Sequence, residues 1–232
     1  MPPNGPAEST SARRRGNLDT KMLDIVDPRI EEYLRGLYDD EDAVRLEMER
    51  LAAERDFPIV GPLVGRRLEQ LARSIKAKRV LELGSGFGYS ALFFARAVGP
   101  RGEVHCTELD EANARLGQEF LRRAGVGERV TWHVEEGRAA LARISGTWDV
   151  VFNDIDKDGY PEVLDAAYAR LRTGGLFVTD NVLWSGRVLE GHDDGKAETR
   201  GVVEFTRRLF AHRGFLTTID PTRDGLAVAL KI

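Results

Sequence analysis

The sequence predicts an α/β protein built on a doubly wound sheet, mostly parallel, with helices on both faces and an antiparallel hairpin at its C-terminal edge. Three observations carry that expectation. From Arg79 onward, short β-rich runs at 79–83, 103–108, 130–134, 149–153 and 176–179 alternate with helical stretches at 89–98, 111–124, 138–144 and 161–171. This is the βαβ rhythm of a parallel sheet. The first run, Val80-Leu-Glu-Leu-Gly84, feeds straight into a glycine turn, where the leading strand of an open α/β sheet meets its ligand. The last two runs, 214–219 and 226–231, are separated only by Asp-Pro-Thr-Arg-Asp-Gly. That link is rich in turn formers and too short for a crossover helix, so the two strands should pair antiparallel.

Upstream of the sheet the chain changes character. Residues 1–17, MPPNGPAESTSARRRGN, carry no apolar face and are expected to form a disordered tail. No apolar stretch of the kind a secretory leader needs follows Arg13, Arg14 and Arg15. Residues 18–76 read as an N-terminal helical segment and 77–232 as the ligand-binding core, together one domain. Ile30, Tyr33, Leu34 and Leu37 recur at helical spacing, and Val44, Met48 and Leu51 continue a second stripe. The acidic run 39–42 falls where that second helix would begin. Carboxylates there suit the positive end of a helix dipole, and capping is preferred to metal binding. Phe57-Pro58 and Gly61-Pro62 then interrupt the pattern, which resumes over 64–75.

Composition excludes several classes. No apolar run approaches the roughly 18 residues of a membrane span. The 232 residues carry 34 basic and 38 acidic side chains, a net charge of −4, which argues against nucleic acid held by bulk charge. Cys106 is the only cysteine and the four histidines are scattered. An intrachain disulfide is therefore excluded and a zinc site disfavoured. The expectation is a cytoplasmic protein acting on a small molecule, with no membrane or nucleic-acid partner.

The glycine turn reads Gly84-Ser-Gly86-Phe-Gly88-Tyr-Ser90. A dinucleotide fingerprint requires Gly-x-Gly-x-x-Gly, and position 89 is tyrosine. Glu82 lies two residues before the turn, where a carboxylate would repel a pyrophosphate and suit a cation. S-adenosylmethionine carries a sulfonium and an ammonium and no phosphate. The second strand ends Cys106-Thr-Glu108-Leu-Asp110. An acid at that strand end can accept from two ribose hydroxyls. Glu108 is the expected residue, with Asp110 better placed as a helix cap.

Two more strand ends bring oxygen ligands. The fourth strand ends Phe152-Asn-Asp154-Ile-Asp156-Lys157 and the fifth ends Val178-Thr-Asp180-Asn181. Neighbouring strands lie about 4.8 Å apart, so Asp154, Asp180 and Asn181 should meet on the ligand-binding side of the sheet. Two carboxylates and an amide oxygen form a hard site of the kind Mg²⁺ prefers. The alternative is that each Asp merely caps the turn after it. Lys157, three residues past Asp154, is within one turn of that site. A lysine beside a divalent cation releases its proton more readily, which suits a general base; otherwise it is a surface lysine paired with Asp156 or Asp158.

The stretches LELGSGFGYSAL, CTELD, FNDIDKDGY and TDNVLWSG, in this order, resemble the class I, cation-dependent O-methyltransferases, such as the caffeoyl-coenzyme A and catechol enzymes. The resemblance covers roughly residues 55 to 232. It implies a Rossmann-like seven-stranded sheet in the order 3-2-1-4-5-7-6. It implies cofactor contacts at Val60, Glu82, the Gly84-Ser85 backbone, Ser90, Glu108, Ala139 and Asp154, and a metal at Asp154, Asp180 and Asn181. It gives Lys157 and Asp154 catalytic roles and places Asp156 near substrate or cofactor. Members commonly form homodimers. The stretch DFPIVGPLVG, which holds Val60, departs from the family pattern, and Asn153 stands where the family usually has an aliphatic residue.

The reading is an S-adenosylmethionine- and Mg²⁺-dependent O-methyltransferase for a catechol-like, vicinal dihydroxy aromatic molecule. A metal-held hydroxyl, deprotonated by Lys157, would attack the methyl group in line. Trp184 is placed either to stack on an aromatic acceptor or to fill the core. The loop 189–196 is a polar insertion that would shape specificity. His192, Asp193 and Asp194 within it imitate a metal cluster, though a loop tip is the better reading. The alternatives are an NAD-dependent oxidoreductase, disfavoured by the missing third glycine and by Glu82, and a non-catalytic S-adenosylmethionine-binding protein, disfavoured by Lys157 and the complete ligand set. A nucleic-acid methyltransferase is disfavoured by the acidic balance.

Overall fold

A computed structural model describes residues 23–38, 42–189 and 194–232. The expected tail over 1–17 with its three arginines, most of the acidic run (39–41), and His192 and Asp193 lie outside the described residues.

The sheet has seven strands in the order β3-β2-β1-β4-β5-β7-β6. They are β1 (Arg79–Leu83), β2 (Glu103–Glu108), β3 (Val130–Val134), β4 (Trp148–Asn153), β5 (Leu171–Thr179), β6 (Phe215–Asp220) and β7 (Leu226–Lys231). The first five pair in parallel. β7 runs antiparallel to β5 and to β6. The chain therefore winds outward from β1 to β3, crosses back and winds the other way from β4. Its direction reverses between β1 and β4, and ligands of open α/β sheets bind outside the strand ends at such a point.

Both faces of the sheet are apolar, as they are for buried parallel strands. Val80, Val104, Val150, Phe152 and Val178 face one core, which is shared with α2 (Ala43–Glu54), α3 (Gly61–Ser74), α4 (Tyr89–Val98) and α5 (Glu111–Arg123). Leu81, Leu83, Val151, Phe177 and Ala227 face the other. That layer holds α6 (Gly137–Arg143), α7 (Tyr160–Arg170) and α8 (Ala197–Ala211).

The helical prelude forms as α1 (Pro28–Gly36), α2 and α3, with two differences from expectation. Gly61-Pro62 opens α3 rather than delaying it, because a proline in the first turn lacks only an N–H that the helix does not use. On α1, Ile30, Tyr33, Leu34 and Leu37 do share a helical stretch, but no residue of that helix is buried. Asp42 caps α2, its carboxylate accepting from the Arg45 N–H at 3.2 Å. One strand begins earlier than read from the sequence, and one helix escaped the reading. β5 starts at Leu171, five residues early, after a register shift between Trp148 and Val150. α8 was not anticipated at all, although Val202, Phe205 and Leu209 line its buried side.

Candidate active site

A cavity of about 600 Å³ opens over the carboxyl ends of β1 to β5, in the size range of small-molecule sites. Its floor is the glycine turn. Gly84 has φ +81°, and a Cβ there would fall 2.5 Å from the Asp154 carbonyl oxygen. Only glycine permits that approach of β1 to β4. Thr107 on β2 latches the turn: its hydroxyl accepts from Gly84 N–H and donates to the Glu82 carbonyl, both at 3.1 Å. Ser85 N–H donates to the Thr107 carbonyl at 2.8 Å. The turn ends at Gly88, with φ +83°, from which α4 starts.

Glu82 lies one layer beneath that floor. It has no exposed surface and is absent from the cavity wall. Its carboxylate accepts from the hydroxyl of Ser90, which does line the cavity, and meets the Cys106 sulfur at 3.8 Å. Burial pushes its pKa up to about 8, against the Ser90 hydrogen bond and helped by the negative charge of Asp154. The Cys106 thiol is likewise raised by burial and by the neighbouring Glu82.

At the next strand end Glu108 lines the cavity and accepts from the Asp110 N–H at 2.9 Å. Asp110 caps α5 through the Ala112 N–H at 2.7 Å, the part expected of it. Leu109, largely exposed, adds an apolar surface at the mouth.

The ends of β4 and β5 bring Asp154, Asp156, Lys157, Asp180 and Asn181 to the same cavity. The backbone holds this corner, with Asp154 N–H on the Leu83 carbonyl at 2.9 Å and Asp180 N–H on the Asn153 carbonyl at 3.2 Å. The buried Tyr160 hydroxyl donates to the Asp180 carbonyl at 2.9 Å. Asn181 takes φ +56°, a left-handed conformation that asparagine tolerates better than most residues. Burial, and then the charge of Asp154, raises the Asp180 pKa well above the usual carboxylate range. One Asp180 oxygen is buried without a hydrogen-bond partner.

Lys157 pairs with neither Asp156 nor Asp158. Its ammonium donates to Asp154 at 2.8 Å and to the Ile155 carbonyl at 3.3 Å. Two close carboxylates, one with an orphaned oxygen, fit a divalent cation that would neutralise both, with the Asn181 amide as a third hard donor. Among the described residues no group of three or more His, Cys, Asp or Glu side chains is placed to hold a metal, so the set depends on that amide.

Of the residues singled out in the sequence, Val60, Gly84, Ser85, Ser90, Glu108, Asp154, Asp156, Lys157, Asp180 and Asn181 line the one cavity. Glu82, Ala139 and Trp184 do not. Ala139 is exposed on the first turn of α6, because Glu136 caps that helix through the Ala139 N–H at 3.0 Å and turns the wall over to Glu136, Gly137 and Arg138. Trp184 packs against the second core and donates its indole N–H to Thr199 at 3.0 Å, the core-filling reading. Sequence reasoning missed the wall formed by Phe57, Pro58 and Ile59. Its signal was the Phe-Pro break between helices, which places Phe57 5.0 Å from the Phe87 ring.

The model of a protein family described as O-methyltransferase matches residues 44–232. A catechol O-methyltransferase of Niastella koreensis is 32% identical over 216 residues, spanning 87% of this chain and 96% of the relative. Caffeoyl-CoA O-methyltransferase 2 of Populus trichocarpa is 28% identical, spanning 95% of this chain and 92% of its own. Among solved structures, the O-methyltransferase TomG of Streptomyces achromogenes, in complex with S-adenosylmethionine, superposes with a TM-score of 0.77. It is 29% identical and covers 88% of this chain and 96% of its own. With the family model spanning most of the sequence and the strand order in agreement, the chain belongs to the O-methyltransferase family.

Proposed function

We propose that the protein transfers the methyl group of S-adenosylmethionine to one hydroxyl of a catechol-like, vicinal dihydroxy aromatic molecule, with a divalent cation, Mg²⁺ in the first instance, at Asp154, Asp180 and Asn181. One observation carries the reading. The glycine turn and Glu108, suited to a nucleoside without phosphate, share a single cavity with two carboxylates, an amide and a lysine.

The residues divide the work. Glu108 takes the ribose hydroxyls. The Gly84-Ser85 backbone and Ser90 face the amino-acid end of the cofactor, and Glu82 acts on that end through Ser90. Phe57 to Val60 and Leu109 supply the apolar walls. The cation, when bound, supplies a Lewis acid that orients two adjacent hydroxyls and favours their ionised form. Lys157, held at the rim by Asp154 and the Ile155 carbonyl, would give up its own proton to solvent when the cation is bound beside it, and as the neutral amine takes the proton from the acceptor hydroxyl. The acceptor oxygen forms its bond to the methyl carbon as the carbon–sulfur bond breaks in line, and the electron pair stays on sulfur. Asp156 borders the acceptor. We also carry a homodimer in this reading, supported by the exposed apolar side chains Phe210 on α8 and Leu216 on β6.

Titration calorimetry tests the cofactor half. S-adenosylhomocysteine is expected to bind and NAD to give no heat of binding. The reverse would return the chain to the oxidoreductase reading.

A further inference from the structure

The mechanism above leaves α8 without a part, yet this helix packs its backbone tightly against the Lys157 turn. A Cβ built on Gly201 would lie 2.3 Å from the Lys157 carbonyl oxygen, 2.8 Å from Asp158 Cα and 3.0 Å from the Lys157 carbonyl carbon. All three are backbone atoms, so no side-chain rotation relieves the clash. Gly201 is not in a left-handed conformation. The glycine is required by proximity alone.

The rest of the first turns of α8 is also engaged. The Thr199 hydroxyl, almost fully buried, accepts from the Trp184 indole at 3.0 Å and donates to Asp194 at 2.8 Å. Trp184 follows the Asp180-Asn181 pair by three residues, and Asp194 stands at the far end of the polar insertion. One turn further, Phe205 meets the Tyr160 ring edge-on at 5.4 Å. That ring lies 5.4 Å below the Lys157 ammonium, and its hydroxyl holds the Asp180 carbonyl. Residues 199–205 therefore touch the acceptor-side loop, the lysine turn and the support of Asp180 together.

We infer that α8 is a strut that sets the position of Lys157 relative to the acceptor, with Gly201 and Thr199 as its positioning residues. The inference rests on the role proposed for Lys157. A methyl at position 201 must push the lysine turn away by about 1 Å, a displacement that costs up to about a hundredfold when it misaligns reacting groups. Neither residue lines the cavity, so ground-state binding should be spared.

The test compares Gly201→Ala, Thr199→Val and Lys157→Ala with the wild type, in full-length protein. It reads kcat and KM for a catechol acceptor, the affinity for S-adenosylhomocysteine, and the melting temperature. Gly201→Ala is expected to lower kcat at least tenfold, with acceptor KM and S-adenosylhomocysteine affinity within twofold of wild type. Thr199→Val, which keeps the side-chain shape and loses both hydrogen bonds, is expected to lower kcat about threefold with the same split. It decides the matter if Gly201→Ala does not fold. Wild-type kcat in Thr199→Val or in a folded Gly201→Ala overturns the strut, as does a fall in cofactor affinity that matches the fall in kcat. Wild-type kcat in Lys157→Ala overturns the base assignment, and the strut with it.

Discussion

The two halves of the cavity are built by different means. On the cofactor side, the contacts stay within β1, β2 and the turns that follow them: Thr107 latches Gly84 from the neighbouring strand, Asp110 caps α5, and Glu82 bonds Ser90 eight residues on. On the acceptor side, Asp154, Lys157 and Asp180 are backed by separate elements, through Tyr160 on α7, Gly201 on α8 and the β6–β7 turn. There Asp224, itself raised by burial, accepts from the Ser185 N–H. The cofactor side thus rests on two strands and their turns, whereas the acceptor side depends on how α7, α8 and the hairpin pack. Asp154 stands at the boundary, its carbonyl against Gly84 and its carboxylate paired with Lys157.

If the halves are separable, the largest effect comes from removing the carboxylates. Asp154→Ala and Asp180→Ala are each expected to abolish turnover while S-adenosylhomocysteine still binds measurably by calorimetry. Near wild-type rates in either variant would remove that residue from the ligand set. Lys157→Ala comes next. It should lower kcat about a hundredfold or more, the range of general-base contributions, with a smaller change in KM. A change confined to KM would make Lys157 a binding residue.

The smallest effect belongs to the cofactor side and concerns stability. Glu82 is held protonated in the fold up to about 8, against an ordinary value of 4.5. Between those values the folded chain binds a proton that the unfolded chain has released, so this group makes stability fall as pH rises. Glu82→Gln, which cannot ionise, is expected to lose less melting temperature than wild type between pH 5 and pH 8. Parallel melting curves would show that the carboxyl is not buried in this way.

The same contrast explains what the sequence disclosed. The glycine turn, Glu108 and the Asp110 cap are legible because each sits in a short motif at the end of one strand. That Asp154, Asp180 and Asn181 share one cavity was legible because neighbouring strand ends converge in a doubly wound sheet. Ala139, a cofactor contact implied by the resemblance, is exposed on the first turn of α6, and Glu136, Gly137 and Arg138 line the cavity in its place. α8 was missed although Val202, Phe205 and Leu209 keep helical spacing, and the purpose of Gly201 appears only when the Lys157 turn is beside it. Trp184 offered two readings, and the position of Thr199 fifteen residues later decided between them. The wall of Phe57, Pro58 and Ile59 gave only a break in periodicity, since its ring partner Phe87 belongs to the glycine turn, remote in sequence.

The central claim is that cofactor and cation act in one cavity on one acceptor. The most direct measurement incubates the protein with methyl-labelled S-adenosylmethionine and a panel of catechols, with and without excess chelator. Label should appear on one hydroxyl of a vicinal diol, vanish with chelator and return when Mg²⁺ is restored. Transfer undiminished in excess chelator would contradict the account.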